Sequence, residues 1–254
     1  MKTRGLLAAI LSCLVASAAL AQQASQGQPA SGAPAASNRT DLYMVHFVKA
    51  APGKLADVLN SLKNPAAGTP MPTHVLVLRH ADGDDWDFAA IQHLGPKATI
   101  DASSPIGTPE REMREWHTDT YAQGPSWAEF SRAMGIGQPQ AGAAAAGKDV
   151  YVVSDYRGAA GHRAKLEDSL KKVAASSLRP ADTVILQHRD GSSWDYLYVT
   201  HYNDWKDYAA QQDDPQAEAR ERRAGLTQEP GLELREHMAG HHDTLCTRVP
   251  VQAK

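Results

Sequence analysis

From Asp41 to Lys49 nearly every position is apolar, and Tyr43, Val45 and Phe47 alternate with Leu42, Met44 and Val48. Such a run, rich in β-branched and aromatic residues, predicts a largely buried strand. Pro52-Gly53 ends it. Leu55, Val58, Leu59 and Leu62 then recur at helical spacing, which predicts an amphipathic helix. Val75 to His80 reads as a second strand and Trp86 to His93 as a third. Between them lies Ala81 to Asp85, which carries Asp82-Gly83, a hairpin signal when strands flank it. Pro109 to Trp116 is polar and helix-capable. Asp119 to Gln123 reads as a short last strand.

The pattern then recurs. Displaced by 108 positions the chain lands on itself: Asp41 on Asp149, Tyr43 on Tyr151, Val45 on Val153, and Ser61-Leu62-Lys63 on Ser169-Leu170-Lys171. The densest block pairs His80, Asp82, Gly83, Trp86, Asp87 and His93 with His188, Asp190, Gly191, Trp194, Asp195 and His201. The match resumes at an offset of 124, where His117-Thr118-Asp119-Thr120 meets His241-His242-Asp243-Thr244, so the second copy carries 16 more residues before this motif. Those residues fall in the polar, helix-capable stretch Asp204 to Met238, ahead of a last strand over Asp243 to Val249.

The order β-α-β-β-α-β is that of a ferredoxin-like unit. Two in tandem resemble the dimeric α/β-barrel superfamily, with the dimer fused into one chain. The resemblance rests on element order, length and duplication. It implies an α+β fold in which two four-stranded antiparallel sheets face each other, helices outside, with a ligand pocket between sheet and helices. It implies a monomer that is a pseudo-dimer within itself. Members of the superfamily include small-molecule monooxygenases, dehydratases, cyclases and haem-binding enzymes, so the fold does not choose the function.

The N-terminus sets the compartment. Lys2 and Arg4, the apolar run Leu6 to Leu20 and the site Ala19-Leu20-Ala21 form the three parts of a secretory signal. The expected organisation is a signal peptide over 1–21, a tether over 22–38, units over 39–136 and 149–250, and a linker over 137–148. The expected location is periplasmic or secreted. Cys13 would leave with the signal, so Cys246 alone remains and no internal disulfide is available. No second apolar run reaches the ~20 residues of a membrane span. The formal net charge is -3 with both signs interspersed, which excludes the basic footprint of a nucleic-acid binder.

Candidate chemistry lies in the repeated histidines. With the first and third strands taken as adjacent and parallel, His93 would end strand three beside His117 and Asp119 at the start of strand four. His201 would meet His241 and Asp243 in the same way. Two imidazoles and a carboxylate suit acid-base catalysis, with Asp fixing a His tautomer. The same donors, His117 and Asp119 or His241 and Asp243 foremost, suit a divalent metal, although nothing in the sequence requires one. A junction whose Asp and Thr cap free backbone groups is the structural alternative. His80, Trp86, His188 and Trp194 are candidate ligand contacts; their alternative is a core tryptophan with a histidine packed on it. His237 and His241 would share a helical face. His46 lies near the end of strand one, but Ser154 replaces it in the second copy. Three readings follow: a small-molecule-binding barrel with a His/Asp edge site, a non-catalytic carrier or interaction module, and a metal-dependent enzyme.

Overall fold

The computed structural model describes residues 38–63, 74–96, 111–137 and 148–251. The signal segment, most of the tether and most of the linker lie outside the described residues. The elements are β1 (Asp41–Ala50), α1 (Leu55–Lys63), β2 (Val75–Asp82), β3 (Phe88–Pro96), β4 (Arg114–Gly124) and α2 (Trp127–Ala133). There follow β5 (Val150–Gly158), α3 (Arg163–Ser176), β6 (Thr183–Asp190), β7 (Tyr196–Tyr202), α4 (Trp205–Gln212), α5 (Ala217–Arg223), α6 (Pro230–Arg235) and β8 (Met238–Arg248). No helix among the described residues is long and apolar enough to cross a membrane.

The eight strands close into one antiparallel barrel in the order β1-β3-β2-β8-β5-β7-β6-β4. Two facing sheets were expected; instead the ladder is continuous, joined at the β2–β8 and β4–β6 seams. Closure leaves no strand edge unpaired. The expected parallel pairing of β1 and β3 is corrected too: they are antiparallel, with Tyr43 opposite His93 and Val48 opposite Phe88. The reason is the hairpin. Helix α1 returns the chain so that β2 runs with β1, and the β2–β3 turn then reverses β3, which inserts between them.

Alternate residues fill the barrel. Tyr43, Val45 and Phe47, Leu76 and Leu78, Tyr151 and Val153, Leu197 and Val199 share one buried cluster with Trp86 and Trp194. The outer face of the barrel is covered by helices in each half. Val58 and Leu62 of α1 pack with Val48, Val77 and Phe88, and Leu166 and Leu170 of α3 pack with Tyr156, Ile185 and Tyr198. Coverage on both sides is why β1 reads as an unbroken apolar run.

The two ends of the barrel differ. At the end where β1 and β5 begin, α2 acts as a plug: Phe130, Ala133 and Met134 join the interior cluster. Tyr43 Oη donates to the Pro125 carbonyl at 2.7 Å and Tyr151 Oη to the Met134 carbonyl at 2.9 Å. Ser126 and Glu129 form a capping box at the start of α2, a sequence signal for a helix that the strand pattern did not register. At the opposite end each Asp-Gly hairpin docks on the last strand of the other half. Gly83 lies against the backbone of Asp243 and Thr244, and Gly191 against that of Asp119 and Thr120. Ser192 N donates to Thr120 Oγ1 at 3.2 Å, and Asp84 N approaches Thr244 Oγ1 at 3.4 Å. The threonine of the repeated His-x-Asp-Thr motif thus receives the partner hairpin. The loops are longer than a two-residue turn, since β3 starts only at Phe88 and β7 at Tyr196.

Candidate functional site

Strand β1 serves as a ruler for the predicted constellation. His93 lies opposite Tyr43 and His117 opposite Val48, five residues along, or about 16 Å at the ~3.3 Å rise of a strand. Tyr151 opposite His201 and Tyr156 opposite His241 give the same separation in the second half. His93 therefore does not join His117 and Asp119, and His201 does not join His241 and Asp243. The antiparallel course of β3 and β7 carries these two histidines to the plugged end. There His93 Nε2 sits 2.6 Å from Asp41 Oδ2, with its ring against Tyr43 and Trp127. His201 Nε2 sits 3.4 Å from Asp149 Oδ1. A Cβ on Gly135, next to α2, would come within 2.5 Å of His201 Cε1. Asp41, Asp149 and His201 are buried and His93 is half-buried at this plugged end.

His80 and His188 do pack on the tryptophans that follow them. The ring centroids are 5.9 Å apart for His80–Trp86 and 5.5 Å for His188–Trp194, both edge-on. Both tryptophans are core residues. Nε2 of His80 and of His188 is buried without a hydrogen-bond partner. Burial, and then Arg163, pulls the His188 pKa below the usual imidazole value. His237 and His241 do not share a helix: β8 begins at Met238, and His237 instead approaches His162, Nδ1 to Nδ1 at 3.1 Å.

The polar cluster that does form uses a residue to which the sequence reading gave little weight. His46 lies opposite Asp119 in the β1–β4 ladder, and both point to the outer face, as does His117 two residues away. His46 Nδ1 and Asp119 Oδ1 form a short hydrogen bond. The His46 and His117 rings lie 5.3 Å apart, and His117 Nδ1 is 3.6 Å from Asp119 Oδ2. The hydrogen bond from His46 holds the Asp119 carboxyl below its ordinary range. Burial, with Arg114 adding, lowers His117. His46 is buried while the Asp119 side chain is 38% exposed, so the cluster runs from beneath the surface to solvent. The signal for His46 was a histidine on an otherwise apolar strand, and reading it needed the β1–β4 register. In the second half Ser154 faces Asp243, His241 Nε2 is 3.4 Å from Asp243 Oδ2, and the His241 ring stacks on Tyr156.

The second half offers a different feature. A cleft of about 470 Å³ lies between the outer face of its sheet and the helices above. Tyr198, Thr200 and Tyr202 of β7 form its floor, Tyr208 and Gln212 of α4 one wall, and Asp243 part of its margin. Helices α4 to α6 occupy the stretch lengthened in the second copy. Burial pushes the Tyr202 hydroxyl up to about 12, so it stays a neutral donor. Burial raises the Tyr198 hydroxyl further, against a lowering effect of the neighbouring Thr183 and Thr200 hydroxyls. Arg220, also in the lining, is held by Asp214 and the Ser176 carbonyl. The cleft thus combines aromatic faces with hydroxyl and amide groups.

No protein-family model matches the chain, and no curated protein matches its sequence. Two solved structures are similar in fold. An anthrone oxidase-like protein superimposes with a TM-score of 0.51 at 13% identity, covering 85% of this chain and 94% of its own. A candidate monooxygenase from Lactobacillus acidophilus NCFM gives a TM-score of 0.49 at 10% identity, covering 84% and 97%. At such identities the likeness to the anthrone oxidase-like protein speaks for the fold alone: an α+β barrel built on one eight-stranded antiparallel sheet.

Proposed function

We propose that this protein binds a small, planar, largely aromatic molecule in the cleft of its second half. The observation that carries the reading is the cleft itself. Its volume lies within the roughly 300–1,000 Å³ of small-molecule sites, and three tyrosines line it. Tyrosine presents a rigid face for stacking and a hydroxyl for a ligand oxygen. The Thr200 hydroxyl and the Gln212 amide add polar contacts at the floor and the mouth. The fold likeness to an anthrone oxidase-like protein makes anthrone and related tricyclic aromatics sensible first probes. Calorimetric titration with such a panel tests the proposal. Gln212 is exposed at the mouth, so Gln212→Trp should obstruct entry without disturbing the core. It should weaken binding at least about tenfold, or roughly 1.4 kcal/mol, with an unchanged melting temperature. Panel affinities unaffected by Gln212→Trp, or no binding at all, overturn it. Incubation in air then separates catalyst from carrier, since only a catalyst returns the ligand altered.

We further propose that the protein is exported and that its halves are tandem ferredoxin-like units descended from one duplication. Residues 2–21 support the first; N-terminal sequencing of exported material should begin at Gln22, and a retained Met1 overturns it. The in-register residues of the two halves support the second, as do the paired features at both barrel ends: Asp41–His93 with Asp149–His201, and Gly83 with Gly191.

A further inference from the structure

We infer that His46, His117 and Asp119 form a binding site for one divalent transition-metal ion, on the outer face of the first half and separate from the aromatic cleft. One donor atom from each residue lies within 4.8 Å of the other two. The 3.6 Å from His117 Nδ1 to Asp119 Oδ2 is too long for a hydrogen bond. It is close to the span of two ligands on one cation, about 3.0–3.5 Å for bonds of roughly 2.1 Å. His117 Nδ1 is also buried with no hydrogen-bond partner, so a donor group taken out of water is left idle without an ion. The His46 Nδ1–Asp119 bond opens to admit the cation by rotation of the carboxylate, which is the most exposed member of the set.

The donor set selects the ion. Two imidazoles and one carboxylate suit Zn²⁺, Co²⁺ or Fe²⁺, and an all-oxygen preference makes Ca²⁺ and Mg²⁺ poor fits. Three protein ligands leave at least one coordination position open, facing the exposed side of Asp119. An open position is the mark of a site that presents water or a substrate oxygen to the metal. The backbone favours the geometry. His46 and Asp119 are held by adjacent hydrogen-bonded strands, and His117 and Asp119 by one strand at a spacing of two, so the three Cα positions are set by the ladder. Only side-chain torsions remain to be fixed on binding.

The test is equilibrium dialysis of tag-free protein against Zn²⁺, with Co²⁺ absorption as a report on coordination. Wild type should take up one Zn²⁺ with a Kd below roughly 10 µM and give a visible Co²⁺ spectrum. His46→Ala and Asp119→Asn should each weaken uptake by at least about tenfold, since each removes a ligand. Asp119→Asn alters a partly exposed side chain, so it reads the site even if His46→Ala destabilises the sheet. His242→Ala is the control for the other donor group among the described residues, Asp84, Asp155 and His242, and should leave uptake unchanged. No Zn²⁺ bound at about 100 µM, uptake indifferent to Asp119→Asn, or loss that follows His242→Ala instead, overturns the inference. Calorimetry with aromatic probes on the Asp119→Asn protein keeps the two sites distinct: cleft binding should persist.

Discussion

Gly191→Ala should cost far more than its chemistry suggests, because the hairpin touches backbone. Gly191 has φ +114°, where a side chain is strained by about 1–3 kcal/mol. Its added Cβ would stand 2.2 Å from the Asp119 carbonyl oxygen and 2.9 Å from Thr120 Cα. Neither atom can turn aside as a side chain would. Relief requires β4 to move by about 1 Å within a paired ladder, and overpacking of this kind costs about 1–3 kcal/mol. Together the terms give roughly 2–6 kcal/mol, a large share of the ~5–15 kcal/mol that holds a domain. Gly83→Ala should behave alike, with φ +122° and a Cβ 2.2 Å from the Asp243 oxygen. Gly161→Ala is the control: φ is +77° and nothing lies within 4 Å of its Cβ, so only the conformational cost of about 1–2 kcal/mol applies. Urea unfolding of the three variants separates the contributions through the midpoint at constant m. If Gly191→Ala and Gly83→Ala cost no more than Gly161→Ala, the hairpins do not bear on the opposite strands and the account of barrel closure is wrong.

Trp86→Ala and Trp194→Ala should each destabilise by about 3–5 kcal/mol, since both rings are core; a loss below ~1 kcal/mol in urea unfolding contradicts that burial. Asp41→Asn should destabilise by about 1.5–3 kcal/mol, the worth of a hydrogen bond to a carboxylate, since it weakens the 2.6 Å contact with His93 Nε2, and near-wild-type unfolding would show that the pair does not hold the plugged end. His74, His117 and His188 are all lowered by burial. Below pH ~6.5 the unfolded chain binds protons that the folded chain resists, so stability should fall as pH drops from 7 toward 5. Asp119 acts lower down: its depressed pKa contributes stability above the ordinary carboxylate value that is lost as pH falls through its folded value. Melting temperatures that stay flat between pH 7 and 5 would contradict the histidine term, and His188→Gln should reduce the slope.

The strands and the helices α1 and α3 are legible from periodicity, because burial imposes period two on strands and ~3.6 on helices; the helix expected over Pro109 to Trp116 is instead, in its described residues, a 3-10 turn over Arg111–Met113 that runs into β4. The site did not follow. Which histidine meets Asp119 depends on strand direction, and periodicity is the same whichever way a strand runs. Taking β3 as parallel to β1 put His93 beside His117; the antiparallel hairpin puts it five residues away. Register assigns Asp119 to His46 instead, and register is a property of pairs of strands, not of one. The lengths of β4 and β8 were also underestimated. Arg114 to Thr118 and Met238 to His242 each carry a single large apolar residue, Trp116 and Met238, packed at the margin of a core cluster, and one apolar position among polar and small ones gives no period-two signal. Helix α2 gives little pattern for a related reason: Phe130 and its C-cap Met134 plug the barrel, so they read as isolated apolar residues beside a linker.

The second half offers a way to test the metal site by building it. On β8, His241 and Asp243 stand where His117 and Asp119 stand on β4, and Ser154 faces Asp243 as His46 faces Asp119. Only the third donor is missing. Ser154→His supplies it, at an overpacking cost of about 1–3 kcal/mol because Ser154 is buried. A second difference must also be met. The His241 ring lies flat on Tyr156, centroids 5.6 Å apart and planes 8° apart, whereas the first half has Val48 at that place in the ladder. The tyrosine competes for the ring that a metal would need. Ser154→His alone should therefore add a weak second site, and Ser154→His with Tyr156→Val a stronger one. Zn²⁺ uptake should rise from one ion per chain toward two in the double variant, and Asp119→Asn in that background should bring it back to one. Circular dichroism establishes first that the variants are folded. A folded double variant that still takes up a single ion would show that three donors in this register are not sufficient, and would withdraw the geometric argument from His46, His117 and Asp119 as well.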